Sequence, residues 1–99
     1  MLDTGIRTTH NEFEGRAVCG FNAYADSEPC EDNEGHGSFT AGGAAGKTYG
    51  VAKNATIVAV RVLDRDVTGS LTKIIAGLEY VANEKQENPS KPMVVNMSL

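Results

Sequence analysis

Residues 56–63, reading TIVAVRVL, constrain the fold more than any other stretch of this chain. They are β-branched and almost continuously apolar, the pattern of a strand covered on both faces in a parallel sheet. Parallel neighbours cannot be joined by hairpins, so such a strand demands crossover helices on either side of it. The sequence supplies them. Ser70 is a plausible N-cap, and after it Leu71, Ile74, Ile75, Leu78, Val81 and Ala82 recur at helical spacing. A loop over residues 83–92 then leads to a second buried-strand pattern at residues 94–97. Upstream, Ala17–Asn22 alternates as a short strand, residues 30–35 form an acidic, turn-rich loop, and His36–Ala45 reads as a helix of small residues. Glycine costs about 1 kcal/mol against alanine in an exposed helix, so that helix makes sense only when buried. Strands and helices alternating at this spacing build βαβ units. The expected class is α/β: part of a mostly parallel sheet with helices on both faces.

Charge and hydropathy exclude several classes of partner. The net charge is −4, and no stretch clusters Lys and Arg, which argues against nucleic acid or an anionic membrane surface. No apolar run approaches the ~20 residues of a membrane span. The chain does not open on a basic-then-apolar leader. Residues 1–5 (MLDTG) read as the last residues of a strand running into a turn, and residues 93–99 (MVVNMSL) as a buried strand that stops without a cap. Both ends therefore read as cuts, and residues 1–99 as one truncated piece of a larger domain.

Two positions concentrate the chemistry. Asp3 stands at the C-terminal end of a strand, the edge where open parallel sheets form ligand sites. His36, between Gly35 and Gly37, opens the small-residue helix. A helix N-terminus disfavours the imidazolium, so this His stays a neutral base unless a carboxylate compensates. An Asp on a neighbouring strand end could do so, fixing the Nδ1–H tautomer. A lone Asp and a lone His with no further context would be surface residues.

The context is five segments in order, LDTGI, THNEFEGRA, NEGHGSFTAG, YGVAKNATIVAVRVLD and VVNMSL, which cover nearly the whole chain. Together they resemble the subtilase family of serine proteases, and within it the proteinase K-like branch. The resemblance implies that Asp3 and His36 are two members of an Asp–His–Ser triad, in the chain order of subtilisin. It also implies that the Ser and the side-chain donor of the oxyanion hole belong beyond Leu99. Two positions depart from the pattern. Phe39 stands where the family commonly has a second His, and Asn11 where it has Pro; His10 then reads as a structural or surface His.

The resemblance further implies a substrate cleft, with Thr68, Gly69 and Ser70 on one edge and Ser98 and Leu99 on the other. A peptide or protein substrate would lie between them as an added strand. The plainer reading of Thr68–Ser70 is a loop and a helix cap, and both can hold at once. The resemblance implies no cofactor in this segment, admits calcium in the complete domain, and brings with it an extracellular location and a pro-segment inhibitor. Cys19 and Cys30 are the only cysteines. Without a CxxC pair they make a poor zinc set, so no metal site is expected. Free thiols are the simplest state, and a Cys19–Cys30 disulfide is the expectation for an exported protease. The sequon at Asn54 sits in a turn and that at Asn96 in a strand expected to be buried.

Three functions follow. The first is a serine endopeptidase for which this chain supplies Asp and His but not Ser. The second is a catalytically inactive subtilase-like binding module. The third is an unrelated nucleotide-binding α/β domain, against which stands the absence of a GxGxxG or P-loop after a strand.

Overall fold

The computed structural model describes residues 1–24 and 30–99. Its sheet has three parallel strands in the order β1-β3-β2, where β1 is Leu2–Asp3, β2 is Ala17–Asn22 and β3 is Ile57–Arg61. Two α-helices accompany it, α1 (His36–Ala45) and α2 (Leu71–Glu87), with a short 3-10 turn at Asn11–Phe13. The central strand is the TIVAVRVL run, as its composition requires.

Side chains alternate across a strand, and here the alternation divides the core in two. Ile57 and Ala59 join Ile6, Phe13, Ala17, Ala41 and Ala45 on the α1 side. Val60 and Val62 join Leu2 and Leu63 on the other, where Ile74, Tyr80 and Val81 of α2 pack against them. The helices therefore cover opposite faces of the sheet. A bulge in β2 between Cys19 and Phe21 moves Phe21 opposite Val60 and onto the α2 face, where its ring stacks on Tyr80 at 5.6 Å.

Four sequence expectations need correction. The α2 helix runs to Glu87 instead of ending before residue 83. Glu84, Lys85, Gln86 and Glu87 are good helix formers, but being polar they carry no apolar period. Its buried face is also rotated: Leu71 is 73% exposed and Ile75 45%, whereas Gly77 is buried. A Cβ at Gly77 would come within 2.6 Å of Val62, so the helix sits on the sheet at this glycine, and Leu71 and Ile75 turn outward. Residues 94–97 form no strand. Leu2 N–H donates to the Asn96 carbonyl at 3.0 Å, and a single bond does not make a ladder; Val94 is 97% exposed and Asn96 only half-buried. The α1 helix, expected to be buried, buries Gly37, Ala41 and Ala45 along one stripe and leaves Phe39 81% exposed.

Candidate active site

Asp3 reaches its position because β1 ends there. Met1 and Asp3 turn their carbonyls toward β3, receiving the N–H groups of Val60, Val62 and Leu63. The Asp3 carboxylate is completely buried, and burial of a charge is tolerable only when it is well bonded. Oδ1 accepts the Thr4 N–H at 2.8 Å and lies 2.7 Å from His36 Nδ1. Oδ2 lies 3.2 Å from the Thr40 hydroxyl, which also reaches the Gly37 carbonyl at 3.0 Å.

His36 is the first residue of α1, and the helix start is held by side chains that precede it in sequence. The first N–H groups of a helix have no partner of their own. Here His36 N–H donates to Glu34 Oε2 (2.7 Å), Gly37 N–H to Thr4 Oγ1 (2.9 Å) and Ser38 N–H to Asp32 Oδ2 (2.8 Å). Gly35, before the helix, has φ +112°, a left-handed conformation natural to glycine.

The electrostatics of the pair follow from this arrangement. A carboxylate only accepts, so the proton between Asp3 and His36 belongs to Nδ1 and the neutral ring presents Nε2 as an acceptor. The hydrogen bond from Asp3 and its negative charge raise the His36 pKa above the ordinary imidazole value, with smaller help from Glu34 and Asp32. The carboxylates thus overcome the dipole that would otherwise disfavour the cation. Asp32 moves the other way. Its partial burial favours the acid, but bonds from the Ser38 hydroxyl, the Gly35 and Ser38 N–H groups and the Thr4 hydroxyl outweigh that and lower its pKa. Asp32 carries only one signal in the sequence, a carboxylate a few residues before a helix start.

The remaining expected positions are spread along the chain. Thr68, Gly69 and Ser70 are exposed between β3 and α2. Thr68 is not free along its backbone: its N–H donates to Asp64 Oδ1 (3.0 Å) and its carbonyl accepts from Asp64 N–H (2.8 Å). Ser70 caps α2, accepting the Lys73 N–H at 3.2 Å. Ser98 and Leu99 are exposed and follow Asn96, whose side chain donates to Ser98 Oγ at 2.9 Å. Cys19 and Cys30 are joined in a disulfide with Cα atoms 5.4 Å apart. Cys30 is buried beside the site, and its carbonyl accepts the Ile6 N–H. His10 caps the 3-10 turn by accepting the Glu12 N–H. Among the described residues, no three His, Cys, Asp or Glu side chains are grouped to hold a metal. No helix among them is long and apolar enough to cross a membrane.

A family model described as the subtilase family matches residues 1–99. The chain is 48% identical to "Subtilisin-like protease 1" of Pseudogymnoascus destructans over its full length, covering 24% of that protein. It is 46% identical to the "Extracellular serine proteinase" of a Thermus species, again over the full chain and 23% of the relative. The crystal structure of a cold adapted subtilisin-like serine proteinase superposes with a TM-score of 0.79 at 41% identity, over 83% of this chain and 30% of that one. The chain therefore spans about a quarter of the length of the curated relatives it matches. It belongs to the subtilase family.

Proposed function

We propose, taking family membership as the premise, that this chain supplies the acid–base half of a serine endopeptidase active site, with Asp3 and His36 as two triad members. The observation that carries this reading is the 2.7 Å bond from His36 Nδ1 to a fully buried carboxylate. That bond sets the tautomer, leaving Nε2 to take the proton of an attacking Ser hydroxyl. As the ring becomes cationic, Asp3 stabilises it without being protonated itself. In reverse, Nε2 returns the proton to the leaving amine. The Ser and its oxyanion hole come from sequence beyond Leu99.

Peptide or protein substrate pairs with the backbone around Gly69 and Ser70 and with Ser98–Leu99. Because the Thr68 backbone is engaged with Asp64, Gly69 is the better candidate for main-chain pairing on that edge. We place the complete protein outside the cell, with a pro-segment as its inhibitor and calcium admitted outside this segment. In the product of the whole gene, His36→Ala should lower kcat/KM against casein by several orders of magnitude, since triad members act as a unit. Near-normal turnover in that variant overturns the assignment, and an inactive parent supports a binding module instead.

A further inference from the structure

The carboxylate of Asp32 makes no hydrogen bond to Asp3 or to the His36 ring, yet it binds the residue after Asp3 through a side-chain hydroxyl and the backbone around His36 through N–H groups. Its Oδ1 accepts from the Thr4 hydroxyl (2.8 Å), the Gly35 N–H (2.7 Å) and the Glu34 N–H (3.2 Å). Its Oδ2 accepts from the Ser38 N–H (2.8 Å) and hydroxyl (2.7 Å). Thr4 directly follows Asp3, and Gly35 and Ser38 bracket His36.

The two hydroxyls extend the grip. Each has one proton, and each directs it to Asp32. Their oxygens are then left to accept, Thr4 Oγ1 from the Gly37 N–H (2.9 Å) and Ser38 Oγ from the Arg7 N–H (2.9 Å). One carboxylate therefore links the exit of β1, residue 7 beyond it, and the first turn of α1. Every group facing Asp32 is a donor, so the cluster is satisfied only by a side chain that accepts at both oxygens.

We propose that Asp32 is a positioning residue that holds the strand end carrying Asp3 and the helix start carrying His36 in the register their 2.7 Å bond requires. The proposal rests on the catalytic reading of that pair only for its effect on rate; its structural content stands apart. Backbone N–H groups oppose both oxygens, Glu34 and Gly35 at Oδ1 and Ser38 at Oδ2, so Asp32→Asn must set an amide NH2 against at least one of them whichever way it turns. Thr4→Val removes one link of the same chain, and Thr4→Ser retains it.

The test uses the product of the whole gene and reads two signals. One is the downfield proton resonance of the Asp3-bonded imidazole N–H, with its pH titration, in the absence of substrate. The other is kcat and KM against a peptide anilide. Glu12→Ala is the control: it removes another carboxylate that pins backbone N–H groups, those of Thr48 and Tyr49, away from His36. Asp32→Asn and Thr4→Val should weaken or abolish the resonance and move the titration midpoint toward the ~6.5 of an unpaired imidazole. They should also lower kcat by about 10- to 100-fold, as expected for a small displacement of reacting groups. Thr4→Ser should restore both signals, and Glu12→Ala should leave them unchanged even if it lowers the Tm. If Asp32→Asn fails to fold, the Thr4 pair decides. An unaltered resonance and midpoint in folded Asp32→Asn or Thr4→Val overturn the proposal and leave Asp32 a helix cap. A parent without protease activity would sink the catalytic reading, while the resonance would still decide the positioning role.

Discussion

The α-carbon of Gly37 faces the Gly5 carbonyl so closely that a Cβ there would collide with that oxygen and lie 3.1 Å from Thr4 Oγ1. The residue after His36 thus sets how near the helix start can approach the turn after Asp3. Neither partner can yield cheaply, because the Gly5 oxygen is backbone and Gly5 itself sits at φ +107°.

This contact reverses the usual sign of a glycine-to-alanine change in a helix. Gly37→Ala should destabilise the chain by about 1–3 kcal/mol, the range for overpacking. Gly43, on the same helix, has nothing near its Cβ position. In the 99-residue chain Gly43→Ala should therefore stabilise by roughly 0.5–1 kcal/mol through helix propensity. Thermal unfolding of both variants checks the pair, and a gain in Tm for Gly37→Ala would contradict the close approach.

The pH dependence follows from the raised pKa of His36, caused first by its hydrogen bond to Asp3 and then by that residue's charge. The folded state binds the proton more tightly than the unfolded chain. The stabilisation is therefore fully present below the unfolded value near ~6.5 and is lost as pH rises through the higher folded value. In the 99-residue chain taken by itself, the Met1 α-amine, its pKa lowered mainly by burial, contributes with the opposite sign. The quantity to measure is accordingly the difference in unfolding free energy between wild type and His36→Gln. It should shrink as pH rises above the unfolded value, and a difference that grows with pH would refute the pairing.

The disulfide closes a loop with a sequence separation of 11. In the chain-entropy model such a loop contributes about 3 kcal/mol. Cys30 holds Ile6 through its carbonyl, so the bridge ties β2 to the turn that follows Asp3. Reduction, or the Cys19→Ser/Cys30→Ser double variant, should lower the unfolding free energy obtained from urea denaturation by about that amount. Two titratable thiols in unreduced, denatured protein would refute the bridge.

Much of this was legible in the residues. The apolar run around Ile57–Arg61 announced a central parallel strand, and both Ala17–Asn22 and His36–Ala45 could be bounded by alternation and small-residue composition alone. Asp3 and His36 stood out by their places at a strand end and a helix start, but only the resemblance to the subtilases made a pair of them. Other features depend on proximity across the chain. Apolar periodicity could not say that α2 contacts the sheet at Gly77, because what matters there is the absent side chain opposite Val62. Nor could it find Asp32, whose partners are brought to it only when residues 4, 35 and 38 meet. The pattern at residues 94–97 did suggest a strand, but periodicity records what a segment can pair with, not whether the pairing is made.

The last prediction is that residues 1–99 alone hydrolyse no peptide, ester or anilide by a serine mechanism. Each serine described in detail already has a different task. Ser38 donates its proton to Asp32, Ser70 caps α2, and Ser98 accepts from Asn96. Ser90 is exposed in the turn after α2, and Ser27 lies outside the described residues. Without a hydroxyl at Nε2 there is no alkoxide to form, and without an oxyanion hole no site for its product. The same chain exposes Phe39 and Tyr49, at 81% and 82%, in an open apolar hollow that also involves Phe13 and Gly43, and exposes Val51 at 91%. Exposed apolar patches of this kind promote self-association, so sedimentation of the purified chain should show species larger than the monomer. Casein and small-substrate assays should show no turnover, and a serine-directed phosphonate should add no mass. Cleavage accompanied by phosphonate labelling, in material of the correct mass, would mean that a serine within these residues serves as the nucleophile.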